Sequence, residues 1–471
     1  MKTSGFVKGV TKLALQALIR ATKADIRTHG EENLPAGPAV YVVNHFTRME
    51  TFFLPYIIEK AAGMDLLALA HFSFFTGGFG TFLEKLGAIS TRDPERDRKM
   101  IGGLLRGDRS CMIFPEGQMV KDKKLVERGK FMIYNAGIRR PPHTGAGLLA
   151  LRAEFYRDKL RNFLETGYAE GVKEYMEYFG ITTREKAVEC AQMESLIVPV
   201  NITYYPIRAR NNIVNRLAHL FVEKLPDRIE EELEVEGTML SEGVDIDINF
   251  GVPIAPRAYL SGRRYDRRVH DRGLYLAGEE MKRGLRFGRE AIALMQRYME
   301  SIYGLTTVNH DHVFAYLLEG YRKKRISVQD FKNRAFLAID GIRELPMQSS
   351  HTSLGLKQRY LLTGDPHGRF DSFMDVAKSD GLVVEERGVI YKNRERFSKP
   401  HEFHDIRRDN VVEVLKNEIE PLREVASALD SVMRLPSCMV RRRIRAKFLE
   451  LDRNIFESDY EKYYLDGESK P

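Results

Sequence analysis

The chain has 471 residues, 43% hydrophobic and 30% charged, enough to bury large cores and too apolar for a disordered protein. Three scattered cysteines (Cys111, Cys190, Cys438) exclude a disulfide scaffold and a cysteine metal site, and suit a reducing compartment. A net charge of +8 fits an anionic partner, whether a phosphate substrate, an anionic membrane surface or nucleic acid.

Residues 1–30 read as an amphipathic basic helix. Phe6, Val7, Val10, Leu13, Leu15, Leu18 and Ile19 alternate with Lys8, Lys12, Arg20 and Lys23. Two readings stay open, an interfacial membrane anchor and a surface helix packed on the domain. The segment lacks the pattern of a secretory signal. From Ala39 to Pro256 strands and helices alternate. Strands are predicted at Val40–Asn44, Leu66–His71, Ala88–Thr91, Cys111–Phe114, Leu196–Tyr205 and Val244–Phe250. Helices are predicted at Met49–Ala62, Phe79–Leu86, Glu95–Leu105, Gly145–Leu164 and Asn211–Leu225. Such alternation implies an α/β fold, a mostly parallel sheet flanked by helices. The uncharged stretch Leu66–Leu83 holds too many glycines and polar residues for a membrane span.

The first strand ends in Asn44-His45, and a helix begins at Met49. His45 therefore sits in a turn after a buried strand, and Glu50 in the first helical turn. Residues five apart within one helix point in different directions. A strand–turn–helix break lets the Glu50 carboxylate reach the imidazole, fix its tautomer and support it as a general base. A polar turn with a dipole-favoured acid is the plainer alternative. A second strand, Cys111–Phe114, runs into Pro115-Glu116-Gly117.

Here the sequence resembles the glycerophospholipid acyltransferases, which include the lysophosphatidic acid and glycerol-3-phosphate acyltransferases. Asn44, His45 and Glu50 match an N-H-x-x-x-x-D signature, with Glu for Asp. Gly87-Ala88-Ile89-Ser90-Thr91-Arg92 matches a strand closed by Gly and Arg. Phe114-Pro115-Glu116-Gly117 matches F-P-E-G in full, and Ile197-Val198-Pro199-Val200 matches a V-P-(V/I) strand. The four signatures stand in family order and cover about the first half of the chain. The resemblance implies a glycerolipid acyltransferase-like domain over 31–256. It implies His45 as base and Glu50 as its orienting acid. Arg92, Glu116 and Gly117 would bind the acceptor. After Gly117 the sequence departs from the family. Met119 stands where an arginine is usual, so either Lys121 or Lys123 supplies the missing charge or the acceptor is held differently.

His143, before the helix from Gly145, is read as a cap or surface residue more readily than as a substrate contact. A helical insertion at about 150–195 is read as scaffolding rather than as a lid or acyl-chain wall. Residues 257–325 form a basic helical connector, with 15 Lys/Arg against 8 Asp/Glu. The run Asn309-His310-Asp311-His312 lacks metal-site spacing and is read as surface. Residues 326–471 form a mainly helical C-terminal accessory domain. A helix at Ser372–Lys378 before a hairpin at Leu382–Tyr391 suggests a winged-helix-like module, and Arg441-Arg442-Arg443 adds a basic cluster.

The function expected is transfer of a fatty acyl group from acyl-CoA or acyl-carrier protein to glycerol 3-phosphate or lysophosphatidic acid in phospholipid synthesis. No metal and no other cofactor is expected, and nucleic acid is not an expected partner. The expected location is the cytoplasmic face of a membrane, held peripherally. The competing readings are an acyl thioesterase using the same dyad and an inactive membrane- or nucleic-acid-binding protein.

Overall fold

A computed structural model describes residues 25–45, 50–75, 77–85, 87–117, 126–127, 130–135, 138–205, 244–276, 287–321, 323–346, 354, 360–363, 368–395 and 411–449. They fall into two compact units, one ending at Thr307 and the other beginning at Val308. The expected helices over residues 1–24 and Asn211–Leu225 lie outside the described residues.

The first unit is built on a seven-stranded sheet of order β1-β11-β10-β2-β5-β3-β4. Its strands are β1 (Asp25–His29), β2 (Ala39–Val43), β3 (Leu66–Ala70), β4 (Ala88–Ser90), β5 (Ser110–Ile113), β10 (Leu196–Tyr205) and β11 (Asp245–Phe250). Two small ribbons, β6 (Val126–Glu127) with β7 (Lys130–Phe131) and β8 (Ile133–Asn135) with β9 (Ile138–Arg140), lie between β5 and the next helix. Pairing is parallel except between β10 and β11. The carboxyl ends of β2, β5, β3 and β4 therefore share one sheet edge, where α/β sheets place their sites.

Helices α1 (Glu50–Ala62), α2 (Gly77–Lys85), α3 (Arg96–Arg106), α4 (Gly145–Glu165), α5 (Ala169–Phe179), α6 (Arg184–Gln192), α7 (Arg263–His270) and α8 (Gly288–Gly304) flank the sheet. The central strands are near-continuous apolar runs because both their faces are covered. Val40 and Val42 of β2 join one core cluster with Leu104, Leu149, Phe155, Tyr175 and Leu294. The insertion supplies Tyr175, Phe179 and Cys190 to that core, so its helices are scaffold. No helix among the described residues is long and apolar enough to cross a membrane.

Two expectations need correction in this unit. Residues 25–29, expected within the amphipathic helix, form the edge strand β1, parallel to β11. Their charges are matched across the pair, Arg27 to Asp245 at 2.6 Å and His29 to Asp247 at 2.8 Å. The basic connector also divides. Helix α8 buries Ala291, Leu294, Met295, Tyr298 and Ile302 within the first unit, whereas residues 308–325 belong to the second.

The second unit runs α9 (His310–Gly320), β12 (Arg325–Ser327), α10 (Val328–Arg343), α11 (Tyr360–Thr363), α12 (Arg369–Ser379), β13 (Val383–Glu386), β14 (Val389–Lys392), α13 (Val411–Ile419) and α14 (Arg423–Met433), then a helix over 437–449. Its antiparallel sheet has the order β12-β14-β13. Among the described residues, three helices separate β12 from the β13–β14 hairpin. The hairpin turns through Arg387 and Gly388, both at positive φ.

The run at Asn309 is not surface. His310, Asp311 and His312 are all buried, because the packing covers α9 on every side from its first turn to Leu318. Asn309 caps the helix, and its backbone N–H donates to His312 Nδ1 at 3.2 Å. The other ring nitrogen, Nε2, therefore carries the proton and donates to Glu418 at 2.8 Å. These side chains are spent on a helix cap and a buried pair, and no metal-ligand group occurs among the described residues.

Tyr41 on β2 is fully buried, and its hydroxyl meets no hydrogen-bond partner among the described residues. Burial pushes the phenol up to about 12. An unpaired buried hydroxyl is destabilising, whereas phenylalanine keeps the ring packing. Tyr41→Phe is expected to leave stability unchanged or raise it by up to about 1 kcal/mol in chemical denaturation. A loss larger than that would show a hydrogen-bonded hydroxyl.

Candidate functional site

β2 delivers the site. Where its backbone pairing with β10 ends, the Asn44 side chain takes over. Its carboxamide oxygen accepts the Ile202 N–H at 2.8 Å and its nitrogen donates to the Ile202 carbonyl at 3.0 Å. The amide thus acts as one more rung of the ladder and fixes where the chain leaves the sheet. His45 follows directly, with its side chain 12% exposed.

His45 is held at three points, two on its ring and one on its backbone. Its Nδ1 lies 2.9 Å from Glu50 Oε2, at the first residue of α1. Phe114 stacks on the ring at 4.1 Å and 20°. The His45 backbone N–H donates to Glu116 Oε2 at 2.9 Å. With Nδ1–H donating to the carboxylate, Nε2 is left as the basic nitrogen. Glu50 is fully buried, and its second oxygen accepts the Tyr204 hydroxyl at 2.8 Å. The structure therefore brings His45 and Glu50 into contact across the strand–turn–helix break. Among the four signatures it also joins His45 to Glu116 by a hydrogen bond.

Glu116 occupies a different place from that of an acceptor ligand. Its side chain is fully buried, one oxygen on the His45 N–H and the other accepting the Tyr303 hydroxyl. Its backbone carbonyl accepts Arg140 Nη2 at 2.7 Å. Gly117 is exposed beside it, at φ +69°. A Cβ there would lie 2.5 Å from the His143 ring, so this turn needs glycine on both counts. His143 is pinned by its own backbone. Its N–H donates to the Pro115 carbonyl at 2.7 Å and its carbonyl accepts the Tyr298 hydroxyl at 2.9 Å. Burial and the neighbouring Arg140 both lower the His143 pKa, which keeps the ring neutral near pH 7. Burial also lowers Arg140, with Glu116 opposing it, and a guanidinium remains charged all the same.

Arg92 is exposed at the end of β4, its guanidinium 3.3 Å from the centre of the Phe72 ring. It shares the sheet edge with His45 but lies three strand spacings away, about 14 Å. Lys121, Met119 and Lys123 lie outside the described residues.

Tyr204, Tyr303, Tyr298 and Arg140 were not singled out by sequence. The tyrosines sit in apolar stretches where an aromatic reads as core, and nothing local shows where a hydroxyl ends. Arg140 is one of several basic residues in its neighbourhood.

No curated protein matches the chain. A family model described as Acyltransferase matches residues 25–158, from β1 into α4. That span contains His45, Glu50, Arg92 and the Phe114–Gly117 turn. Over residues 25–158 the chain is similar to the acyltransferase family.

Proposed function

We propose that the protein moves a fatty acyl group from a thioester, acyl-CoA or acyl-carrier protein, to a hydroxyl of glycerol 3-phosphate or lysophosphatidic acid in phospholipid synthesis. The observation that carries this reading is the His45–Glu50 contact at 2.9 Å on the carboxyl edge of a parallel sheet. His45 Nε2 takes the proton of the acceptor hydroxyl. The alkoxide oxygen attacks the thioester carbonyl carbon. The tetrahedral intermediate collapses and expels the thiolate, which takes the proton back from the imidazolium. Glu50 stabilises the imidazolium in between. A covalent acyl-enzyme is unnecessary. Cys111, on the strand leading to the site, is buried, and burial pushes its thiol far up, away from the reactive thiolate.

A lipid acceptor or product brings the protein to a membrane surface, peripherally and on the cytoplasmic side in this reading. The exposed arginines of α7 (Arg263, Arg264, Arg267) suit an anionic surface. Nucleic acid is not part of the proposal. Helix α12 exposes Asp371 and Asp375, which repel a phosphate backbone.

Purified protein incubated with labelled acyl-CoA or acyl-carrier protein and a panel of alcohols tests this. Phosphorylated glycerol acceptors should yield acylated product with matching thiol release. Thiol release that ignores the acceptor would instead identify a thioesterase. Arg92→Ala adds a finer test. A phosphate leaving water needs charge-assisted partners, and Arg92 is the exposed guanidinium at this edge. The substitution should raise the acceptor KM about tenfold or more with little change in donor KM. Damage confined to donor use would move Arg92 to the thioester side.

A further inference from the structure

Two tyrosines from outside the family-matched segment converge on His45 through two buried carboxylates. Glu50 and Glu116 are both fully buried. A carboxylate in that position is costly unless donors surround it. Tyr204 of β10 donates to Glu50, and Tyr303 of α8 donates to Glu116. Both tyrosines are themselves buried, 3% and 1% exposed. Each carboxylate spends its other oxygen on His45. Glu50 takes the ring Nδ1–H, and Glu116 takes the backbone N–H. The histidine is thus anchored at two points, ring and main chain, and each anchor is backed by one hydroxyl.

We propose that Tyr204, acting through Glu50, and Tyr303, acting through Glu116, are positioning residues of the acyl-transfer site. The proposal rests on the reading of His45 as general base. It gives residues 196–304 a part in catalysis, although the family match ends at residue 158. It also reassigns Glu116, whose buried side chain cannot meet an acceptor while it holds the His45 loop.

The two hydroxyls act differently, and that separates this proposal from simple packing. Tyr204 shares the charge of Glu50. Without it, more of that charge falls on the His45 ring, which favours the imidazolium. Tyr204→Phe should therefore move the acid limb of the kcat/KM profile to higher pH, by roughly half a unit to one unit. Tyr303 leaves the ring alone and steadies the main chain. Tyr303→Phe should lower kcat about tenfold, keep acceptor KM within about twofold and leave the acid limb in place. Glu116→Gln keeps an oxygen for the His45 N–H and an amide for the Tyr303 oxygen, so it should lose less than Glu116→Ala. Because the pair acts as a unit, Tyr303→Phe added to Glu116→Ala should cost little more than Glu116→Ala alone.

The experiment uses the full chain with palmitoyl-CoA and either glycerol 3-phosphate or lysophosphatidic acid, with thermal melts to confirm that each variant is folded. The proposal fails if both Tyr→Phe variants match the wild type in kcat and pH profile while His45→Ala is inactive. It also fails if Tyr303→Phe and Glu116→Gln raise acceptor KM and spare kcat, because Glu116 would then be an acceptor ligand. A folded His45→Ala that retains turnover, or a wild type that acylates neither acceptor, overturns the underlying reading instead.

Discussion

His45→Ala is expected to lower kcat/KM for acyl transfer by about 10²–10⁴-fold, the range supplied by a positioned general base. The hydroxyl of a glycerol acceptor is almost entirely protonated near neutral pH, so its attack on a thioester depends on a base at the moment of bonding. Nε2 is the nitrogen available for that task, since Nδ1 is committed to Glu50. The substitution removes a partly exposed ring and leaves the Tyr204 hydrogen bond on Glu50, so the fold should survive. Glu50→Gln should lose less. Its amide oxygen can still accept Nδ1–H and hold the tautomer, but it no longer stabilises the imidazolium by charge. Steady-state rates on variants with native circular dichroism check both expectations. Near-wild-type turnover by folded His45→Ala would remove the histidine from the mechanism.

The second large effect concerns stability. Lys159 on α4 is fully buried, with its ammonium over the rings of Phe163 and Tyr275 at 4.8 and 5.3 Å. It donates to the carbonyls of Arg268 and Asp271 at 2.8 and 2.5 Å and to the Asp271 carboxylate at 2.8 Å. These groups close the end of α7, where a cation also meets the negative end of the helix dipole. One lysine thus ties residues 263–276 to the central helix. Lys159→Met keeps the stem's packing but leaves the Arg268 and Asp271 carbonyls without this donor. The stranded carbonyls carry most of that cost, since the Asp271 carboxylate is 37% exposed and keeps the Gly273 N–H and the Tyr275 hydroxyl. The expected loss is about 2–4 kcal/mol, read as a lower urea midpoint. It should depend on pH with a definite sign. Burial pushes the Asp271 carboxyl up, but the Lys159 and Tyr275 hydrogen bonds outweigh it and hold it below its ordinary value. A carboxyl depressed in the folded state stabilises above its unfolded pKa and loses that stabilisation as pH falls through the folded one. The gap between wild type and Lys159→Met should therefore narrow below the ordinary carboxylate range. A deficit under about 1 kcal/mol at neutral pH would show that other contacts hold α7 in place.

Much of the first unit was legible because its information is local. Six of the sheet strands end within a residue or so of their predicted limits, since a buried parallel strand is a short apolar run between turns. The break at Asn44-His45 and the Pro115-Glu116-Gly117 turn were equally plain, because a polar or glycine step ends each run. The hairpin across Arg387-Gly388 announced itself through turn chemistry. Those features placed His45 and Glu50 side by side before any contact was visible.

What the tertiary structure decided lies far apart in sequence. β1 carries charge on nearly half its residues and reads as no strand, yet it pairs with β11 across 218 positions, where Asp247 meets His29. Its polarity is tolerated at an edge because the neighbouring strand supplies opposite charge. The buried His312 depends on Glu418, 106 residues away, and no local pattern shows that α9 is covered on every side. Tyr204 and Glu50 are 154 positions apart, and Tyr303 and Glu116 are 187 apart. An aromatic in an apolar stretch signals burial alone. Where its hydroxyl ends is set by the packing of β10 and α8 against the strand that carries the histidine. The residues able to do the chemistry were therefore written in the local sequence, and those that hold them in place came only from the fold.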